Sequence, residues 1–239
     1  MNMLIKIIAV GSTKWDRLRR RWGISFLIGD DILFDTFGDP EVFLKNAGKL
    51  NVDFAKIRHV VISHDHWDHI SGLWRVIDRY KNLSVYICPH VSHETKKKIA
   101  SFGVRVVDVP FLSSIKENIF STGEIRGAYA GEDIFEQALV IKFLKRLTVV
   151  VGCAHPGIVN IVDKVKEHFT KERICLVLGG LHLKDASRLQ LDDTISALRA
   201  RGVSQIAPMH CTGTQAVELI RKEYGIDFLE VGAGSAFEV

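Results

Sequence analysis

A cluster of metal-binding side chains directly after a short apolar run constrains this chain more than any other feature. The run Val60–Ile62 is β-branched, which is typical of a buried strand. His64, His66, Asp68 and His69 follow it. His64 and His66 are two residues apart, so an extended backbone points both side chains the same way. Asp68 and His69 come where the chain is expected to turn into a helix, which predicts donors split two and two, as in a two-metal site. A solvated histidine-rich loop is the alternative.

Three later segments that read as strands also end in a histidine. These are His155 in GCAHPG, His182 in GGLHL and His210 in MHCTG. Sites in layered α/β proteins gather at strand carboxyl ends, so the sequence predicts that these histidines belong to a functional site. Imidazole nitrogens and carboxylate oxygens suit zinc, iron or manganese. For His182 a second role stays open, either binding substrate or donating a proton.

Two further residues have competing interpretations. Asp35 ends the apolar segment ILFD and could orient a ligand imidazole from behind; a turn or cap aspartate is the alternative. Cys153 lies two residues before His155 and could be a soft ligand. A small buried hydrophobic residue is the more common state of a cysteine in such a place.

Composition limits the classes of partner. The net charge of +4 is too small to argue for nucleic acid, although it suits a modestly anionic small molecule. A basic segment could clamp a phosphate, although such runs more often form a solvated face. Its four arginines are Arg17, Arg19, Arg20 and Arg21.

Length and apolar content predict one ordinary globular domain over residues 1–239, since 47% of the residues are hydrophobic and 25% are charged. No apolar stretch approaches the ~20 residues that a membrane span needs, and MNMLIKIIAV reads as a first strand rather than a signal peptide. The four cysteines contain no C-x-x-C pair, which favours reduced thiols in the cytoplasm. The oligomeric state stays open.

The order of the segments predicts the fold class. The first half is β-rich with interspersed helices, and the second half alternates strand and helix. That order is typical of α/β proteins whose mixed sheets are covered by helices.

At the H-x-H-x-D-H motif the chain resembles the metallo-β-lactamase superfamily. The resemblance implies a four-layer αββα sandwich of two mixed sheets flanked by helices, with one or two divalent metal ions at one edge. Zinc is the first expectation, with manganese, iron or magnesium as alternatives. It further implies two ligand sets: His64, His66 and His155 in one, and Asp68, His69 and His210 in the other. Asp35 in LFDT matches the family's first motif.

The sequence is most similar to the branch of dihydropterin–ribofuranosylaminobenzene-phosphate synthases. GISFLI, LFDT, TGEI, EQALVI, VVGCAHPGIVNIV, GGLHL and HCTG carry this similarity. Some members join a dihydropterin methyl diphosphate to a ribofuranosylaminobenzene phosphate, and many others are known only as metal-dependent hydrolases. The bridging aspartate usual in the superfamily is not evident, and Cys153 stands at a comparable strand end. The segment Pro110–Gly131 is expected to border the substrate pocket.

The resemblance leaves several functions to weigh. In a hydrolase, metal ions lower the pKa of a water molecule to make the nucleophile, with Asp68 orienting it and His182 as acid or base. In a synthase, the metal ions hold the diphosphate as it leaves. A nuclease of the tRNA-processing kind would need a basic track or an RNA-binding arm, and neither is visible. A non-catalytic metal-binding protein is the remaining alternative.

Overall fold

The computed structural model describes residues 3–11 and 21–239, which divide into two compact units. Unit 1 comprises residues 3–11, 21–110 and 232–239, and unit 2 comprises residues 111–231. Each unit is built on one large sheet with both parallel and antiparallel pairs. The predicted α/β class with two mixed sheets and flanking helices is therefore confirmed. The single domain over residues 1–239 stays a prediction.

Unit 1 holds a seven-stranded sheet. Its elements are β1 (Leu4–Gly11), β2 (Gly23–Ile28), β3 (Ile32–Phe34), α1 (Pro40–Lys49), β4 (His59–Val61), α2 (Trp67–Ile70), α3 (Leu73–Arg79), β5 (Ser84–Ile87), α4 (His93–Ser101), β6 (Arg105–Asp108) and, from the end of the chain, β15 (Ala236–Glu238). The strand order is β15-β1-β2-β3-β4-β5-β6. The pairs are antiparallel as far as β3 and parallel from β3 to β6.

Strand β4 directly precedes the H-x-H-x-D-H motif. Val60, Val61 and Ile62 are fully buried, as the β-branched run predicts. The two neighbours of β4, β3 and β5, both run parallel to it. A strand with parallel neighbours on both sides is buried on both faces and reads as a continuous apolar run. The motif follows the carboxyl end of β4 and therefore lies at one edge of the sheet.

Unit 2 holds a six-stranded sheet and a separate two-stranded hairpin. Its elements are β7 (Ser113–Lys116), β8 (Ile119–Ser121), β9 (Ile125–Tyr129), β10 (Glu132–Glu136), β11 (Leu139–Phe143), β12 (Arg146–Val151), α5 (Ile158–His168), β13 (Arg173–Gly180), α6 (Arg188–Ala200), β14 (Gln205–Met209) and α7 (Thr214–Tyr224). The six strands lie in the order β14-β13-β12-β11-β8-β7, and β9 pairs with β10.

The parallel strands of unit 2 bring their carboxyl ends to the same edge. Val151 of β12 pairs with Gly179 of β13, and Gly180 pairs with Met209 of β14. Helices α5, α6 and α7 contribute to one apolar core with these strands; α5 buries Ile158, Ile161, Val162 and Val165 in it. Helix α5 begins two residues after Pro156. A parallel edge covered by helices is where α/β proteins carry their sites.

The segment Phe228–Val239 reads in the sequence as final strands, but most of it is not in a strand. Only β15 is a strand, and Phe228 makes an isolated bridge to Ile206. The glycines of VGAGS account for the difference, since the Ser235 N–H donates to the Gly232 carbonyl in a turn and Gly234 has a φ of 91°.

In the part of the chain that the structure describes, none of the helices combines the length and the apolar character that crossing a membrane requires.

Candidate metal centre

In unit 1 the four motif side chains lie around a single turn of chain. His64 and His69 are fully buried, Asp68 is nearly so and His66 is half-buried. His66 is the N-cap residue of the short helix α2, so Asp68 and His69 fall inside its first turn. The sequence-predicted turn into a helix after the H-x-H pair is confirmed, and it sets imidazoles and a carboxylate close together.

Asp35 and Ser63 hold the far sides of two of these imidazoles. The Nδ1 of His69 donates to Asp35 Oδ2 at 2.6 Å, and the Oγ of Ser63 lies 2.9 Å from His64 Nδ1. Asp35 also accepts the Ser63 backbone N–H and hydroxyl, each at 2.7 Å. Bonds of this kind fix the tautomer and orientation of a ligating histidine, so Nε2 is the nitrogen through which His69 could bind a metal ion.

The donor spacing in unit 1 fits a metal ion. His64 Nε2 lies 3.1 Å from His66 Nδ1, and His69 Nε2 lies 3.4 Å from Asp68 Oδ2. Two nitrogens on one tetrahedral zinc ion at ~2.0–2.1 Å would stand about 3.3 Å apart. Burial lowers the pKa of His69, but the carboxylates of Asp68 and Asp35 outweigh it and hold that pKa well above its usual value.

In unit 2 the three predicted histidines follow adjacent parallel strands. His155 follows β12, His182 follows β13 and His210 follows β14. His155 and His210 are buried, whereas His182 is exposed. His182 and His210 both have positive φ values, 50° and 54°. Non-glycine residues pay about 1–3 kcal/mol for such conformations, which cluster at functional sites.

Cys153 joins these histidines in two groups of donors. In the first, one ligand atom each from Cys153, His155 and His182 lies within 4.8 Å of the other two. In the second, the same limit holds for Cys153, His210 and Cys211. The donor chemistry of unit 2 therefore combines imidazole with thiol, and Cys153 is common to both groups.

Cys211 and His182 influence each other's protonation. A hydrogen bond with Cys211 is the main reason that the pKa of His182 is raised. Burial opposes ionisation of the Cys211 thiol, but its hydrogen bonding with Cys153 and the nearby His210 and His182 hold its pKa well below the usual value.

Glu136 organises the loop that carries Cys153 and His155. Its carboxylate is buried and accepts three backbone N–H groups: from Cys153 at 2.8 Å, from Ala154 at 2.9 Å and from His155 at 2.8 Å. A carboxylate with three such bonds fixes the path of a loop that no regular element holds. Little in the sequence singles out Glu136, whose signal is a glutamate just before the apolar run ALV.

The β9–β10 hairpin brings Tyr129 against two of the histidines. Its ring centroid lies 5.1 Å from that of His155 and 5.8 Å from that of His182, both edge-to-face. The two imidazole centroids are 4.3 Å apart. Gly127 permits the approach, because a Cβ there would lie 2.6 Å from the His155 carbonyl carbon. Tyr129 is half exposed and lies in Pro110–Gly131, the segment predicted to border the substrate pocket.

A cavity of about 240 Å³ opens beside His155 and His182 within unit 2. Besides these two histidines, its wall combines apolar residues with two polar ones, Asn160 and Thr194. A small cavity with a few polar groups next to candidate ligands is a suitable place for part of a substrate.

Of the four arginines predicted to bind phosphate, one lies in the part of the chain that the structure describes. Arg17, Arg19 and Arg20 lie outside the described residues. Arg21 is described and is exposed. Phosphate binding by these arginines stays a prediction.

Comparison with known proteins agrees with this geometry. A family model described as the metallo-beta-lactamase superfamily matches residues 25–163. The chain belongs to the metallo-beta-lactamase superfamily. The predicted likeness to the synthase branch is also confirmed, because the 7,8-dihydropterin-6-methyl-4-(beta-D-ribofuranosyl)-aminobenzene-5'-phosphate synthase of Methanocaldococcus jannaschii is 30% identical over 89% of this chain and 88% of the relative.

Solved structures of metallo-beta-lactamase proteins share the fold. A metal-dependent hydrolase of the beta-lactamase superfamily superposes with a TM-score of 0.81 at 28% identity, over 99% of both chains. The short form of human tRNase Z gives a TM-score of 0.64 at 11% identity, over 98% of both chains. At that identity the second likeness concerns the fold alone.

Proposed function

We propose that this protein is a metal-dependent enzyme that acts on a phosphorylated or ester small molecule. The observation that carries the proposal is the bond from His69 Nδ1 to Asp35, which presents Nε2 of a buried imidazole beside further donors. A bound divalent ion would polarise a phosphoryl or carbonyl oxygen and lower the pKa of a water molecule.

The proposed centre takes its ligands from the family pattern. The superfamily assignment and the donor chemistry support one or two divalent ions, with zinc first and manganese, iron or magnesium as alternatives. The proposed ligands of one ion are His64, His66 and His155, and those of the other are Asp68, His69 and His210.

Two residues receive proposed roles in the chemistry. Asp68 would orient the attacking group from its place next to His69. His182 would give or accept a proton, because it is exposed and lines the cavity that also reaches His155. A cytoplasmic setting, in which thiols stay reduced, accords with this centre.

The first reaction to test is the synthase reaction named for the M. jannaschii relative, since the similarity covers most of both chains. An amine or ring carbon would form a bond to the methylene of a dihydropterin methyl diphosphate, and the carbon–oxygen bond to diphosphate would break. The proton lost by the nucleophile would pass to a base, for which His182 is the candidate. Hydrolysis is the second reaction, supported by the hydrolase structure at 28% identity.

The test is incubation of metal-loaded protein with both pterin-pathway substrates, following diphosphate release and the condensation product by mass spectrometry. A parallel panel of phosphodiesters, thioesters and lactones tests hydrolysis. His64→Ala and His210→Ala should abolish turnover and reduce metal content. His168→Ala, at the exposed end of α5, is the matched control and should change neither.

The outcomes separate the two chemistries. Diphosphate release that requires both substrates supports the synthase, and metal-dependent cleavage of a panel ester without condensation supports the hydrolase. Stoichiometric metal binding with no turnover of any substrate would overturn the enzymatic proposal.

A further inference from the structure

We infer that Cys153 is a thiolate ligand of the metal centre and that the centre is thereby selective for a borderline-to-soft ion such as zinc or cobalt. The inference rests on the proposed function and deepens it. It assigns a sulfur donor to a centre whose other candidate donors are imidazoles and a carboxylate.

Cys153 lies among the candidate donors of unit 2. It is the residue shared by the group with His155 and His182 and the group with His210 and Cys211. A buried cysteine that acts only as a small hydrophobic residue is normally surrounded by apolar side chains. The Cys153 thiol instead lies within 4.8 Å of imidazole nitrogens and of a second thiol.

The backbone holds Cys153 firmly in place. Its N–H donates to Glu136 Oε1 at 2.8 Å. The end of β13 packs closely on this loop, since a Cβ on Gly180 would lie 2.5 Å from the Gly152 carbonyl oxygen and 3.3 Å from the Cys153 Cα. Ligands that are positioned before the metal arrives bind it without a large ordering cost.

The neighbouring thiol has a different environment. Cys211 is hydrogen-bonded with His182 and fills the space beside Gly180, where a Cβ would lie 2.6 Å from its Sγ. It belongs to the donor group with His210 and not to the group with His155. We therefore assign the ligand role to Cys153 and use Cys211 to test that choice.

A thiolate changes which metal ion the centre prefers. Thiolate ligands select ions such as zinc, whereas carboxylate and carbonyl oxygens suit magnesium, calcium and manganese. The inference therefore predicts that zinc and cobalt are retained through purification while magnesium and manganese are lost.

The test is the absorption spectrum of the full chain produced with cobalt(II) in the medium. A cobalt–thiolate bond gives charge-transfer absorption in the near ultraviolet, whereas imidazole and carboxylate ligands give only the visible bands. We expect both features in the wild type and loss of the near-ultraviolet band in Cys153→Ser, with the visible bands retained. Cys211→Ser and Cys175→Ser, the latter at a half-buried position in β13, should keep the band.

Different failures have different meanings. Visible cobalt bands without the near-ultraviolet band in the wild type, or a band lost in Cys211→Ser but kept in Cys153→Ser, would overturn the sulfur assignment and leave the proposed function standing. A wild type that binds no metal would overturn both. Should Cys153→Ser not fold, X-ray absorption on the zinc-loaded wild type decides, since a sulfur ligand stands at ~2.3 Å and nitrogen at ~2.0–2.1 Å.

Discussion

His69 donates a hydrogen bond to Asp35 at 2.6 Å, although 34 residues separate the two along the chain. Both side chains are fully buried. Asp35 adopts a positive φ of 54°, a conformation that aspartate and asparagine tolerate better than most residues. This buried carboxylate, held in a strained backbone conformation, orients one imidazole and accepts a hydrogen bond from Ser63.

Replacing Asp35 with asparagine should weaken metal binding while preserving the backbone. Asparagine keeps one acceptor and tolerates the same φ, but it removes the charge that supports the His69 imidazole. We expect the metal affinity to fall about 10- to 100-fold, measured by competition with a chromophoric chelator. Asp30→Asn, on the exposed turn between β2 and β3, is the control, and equal affinities for the two variants would contradict the role given to Asp35.

Glu136→Gln should loosen the loop that carries Cys153 and His155. The glutamine amide replaces one acceptor oxygen with a donor, so at least one of the three backbone N–H groups loses its bond. We expect a loss of about 1–3 kcal/mol in the free energy of unfolding, measured by urea denaturation.

The matched variant on the same hairpin is Glu132→Gln, because residue 132 is exposed. Its free energy of unfolding should stay within ~0.5 kcal/mol of the wild type. A Glu136→Gln protein as stable as this control would show that the three short bonds do not hold the loop.

Gly127→Ala should displace the β9–β10 hairpin from His155. The added Cβ would lie 2.6 Å from the His155 carbonyl carbon and 2.6 Å from Pro156 N, both of which are backbone atoms that cannot rotate away. We expect a lower melting temperature and increased exchange of the hairpin amides, measured by hydrogen–deuterium exchange. Gly48→Ala in α1 meets nothing within 4 Å and should instead stabilise by up to ~1 kcal/mol. Unchanged exchange in Gly127→Ala would refute the close packing.

The sequence predicts where the candidate donors lie along the strands because their signal is local. His64 to His69 occupy one strand end, and the later histidines recur at the ends of segments whose apolar patterns already read as strands. The helix after Asp39 is equally local, since the Asp39 carboxylate accepts the N–H groups of Glu41 and Val42. Such features need no knowledge of what lies across the fold.

The residues that hold the donors in place carry no comparable signal. Glu136 lies 17 residues before Cys153. Its role depends on which later part of the chain the fold brings beside it. Gly127 is required only because the His155 backbone passes against it. Tyr129 meets its imidazoles through a hairpin whose turn, with φ values of 52° at Ala130 and 86° at Gly131, sets the register. These are tertiary relationships, which periodicity and motif spacing do not encode.

Tyr224→Phe should make stability less sensitive to alkaline pH. The Tyr224 hydroxyl is buried without a hydrogen-bond partner among the described residues, and burial raises its pKa to about 12. In the unfolded chain tyrosine ionises near pH 10, so from about pH 10 to 12 the unfolded state has lost a proton that the folded state keeps, and stability falls as pH rises. Phenylalanine removes this dependence and keeps the ring under the Arg199 guanidinium.

Urea denaturation should therefore show that Tyr224→Phe is as stable as the wild type or more stable at pH 8, and that it loses less stability than the wild type at pH 11. The control Tyr224→Ala should lose about 3–5 kcal/mol of unfolding free energy at both pH values. Parallel pH profiles for the wild type and Tyr224→Phe would disprove the account.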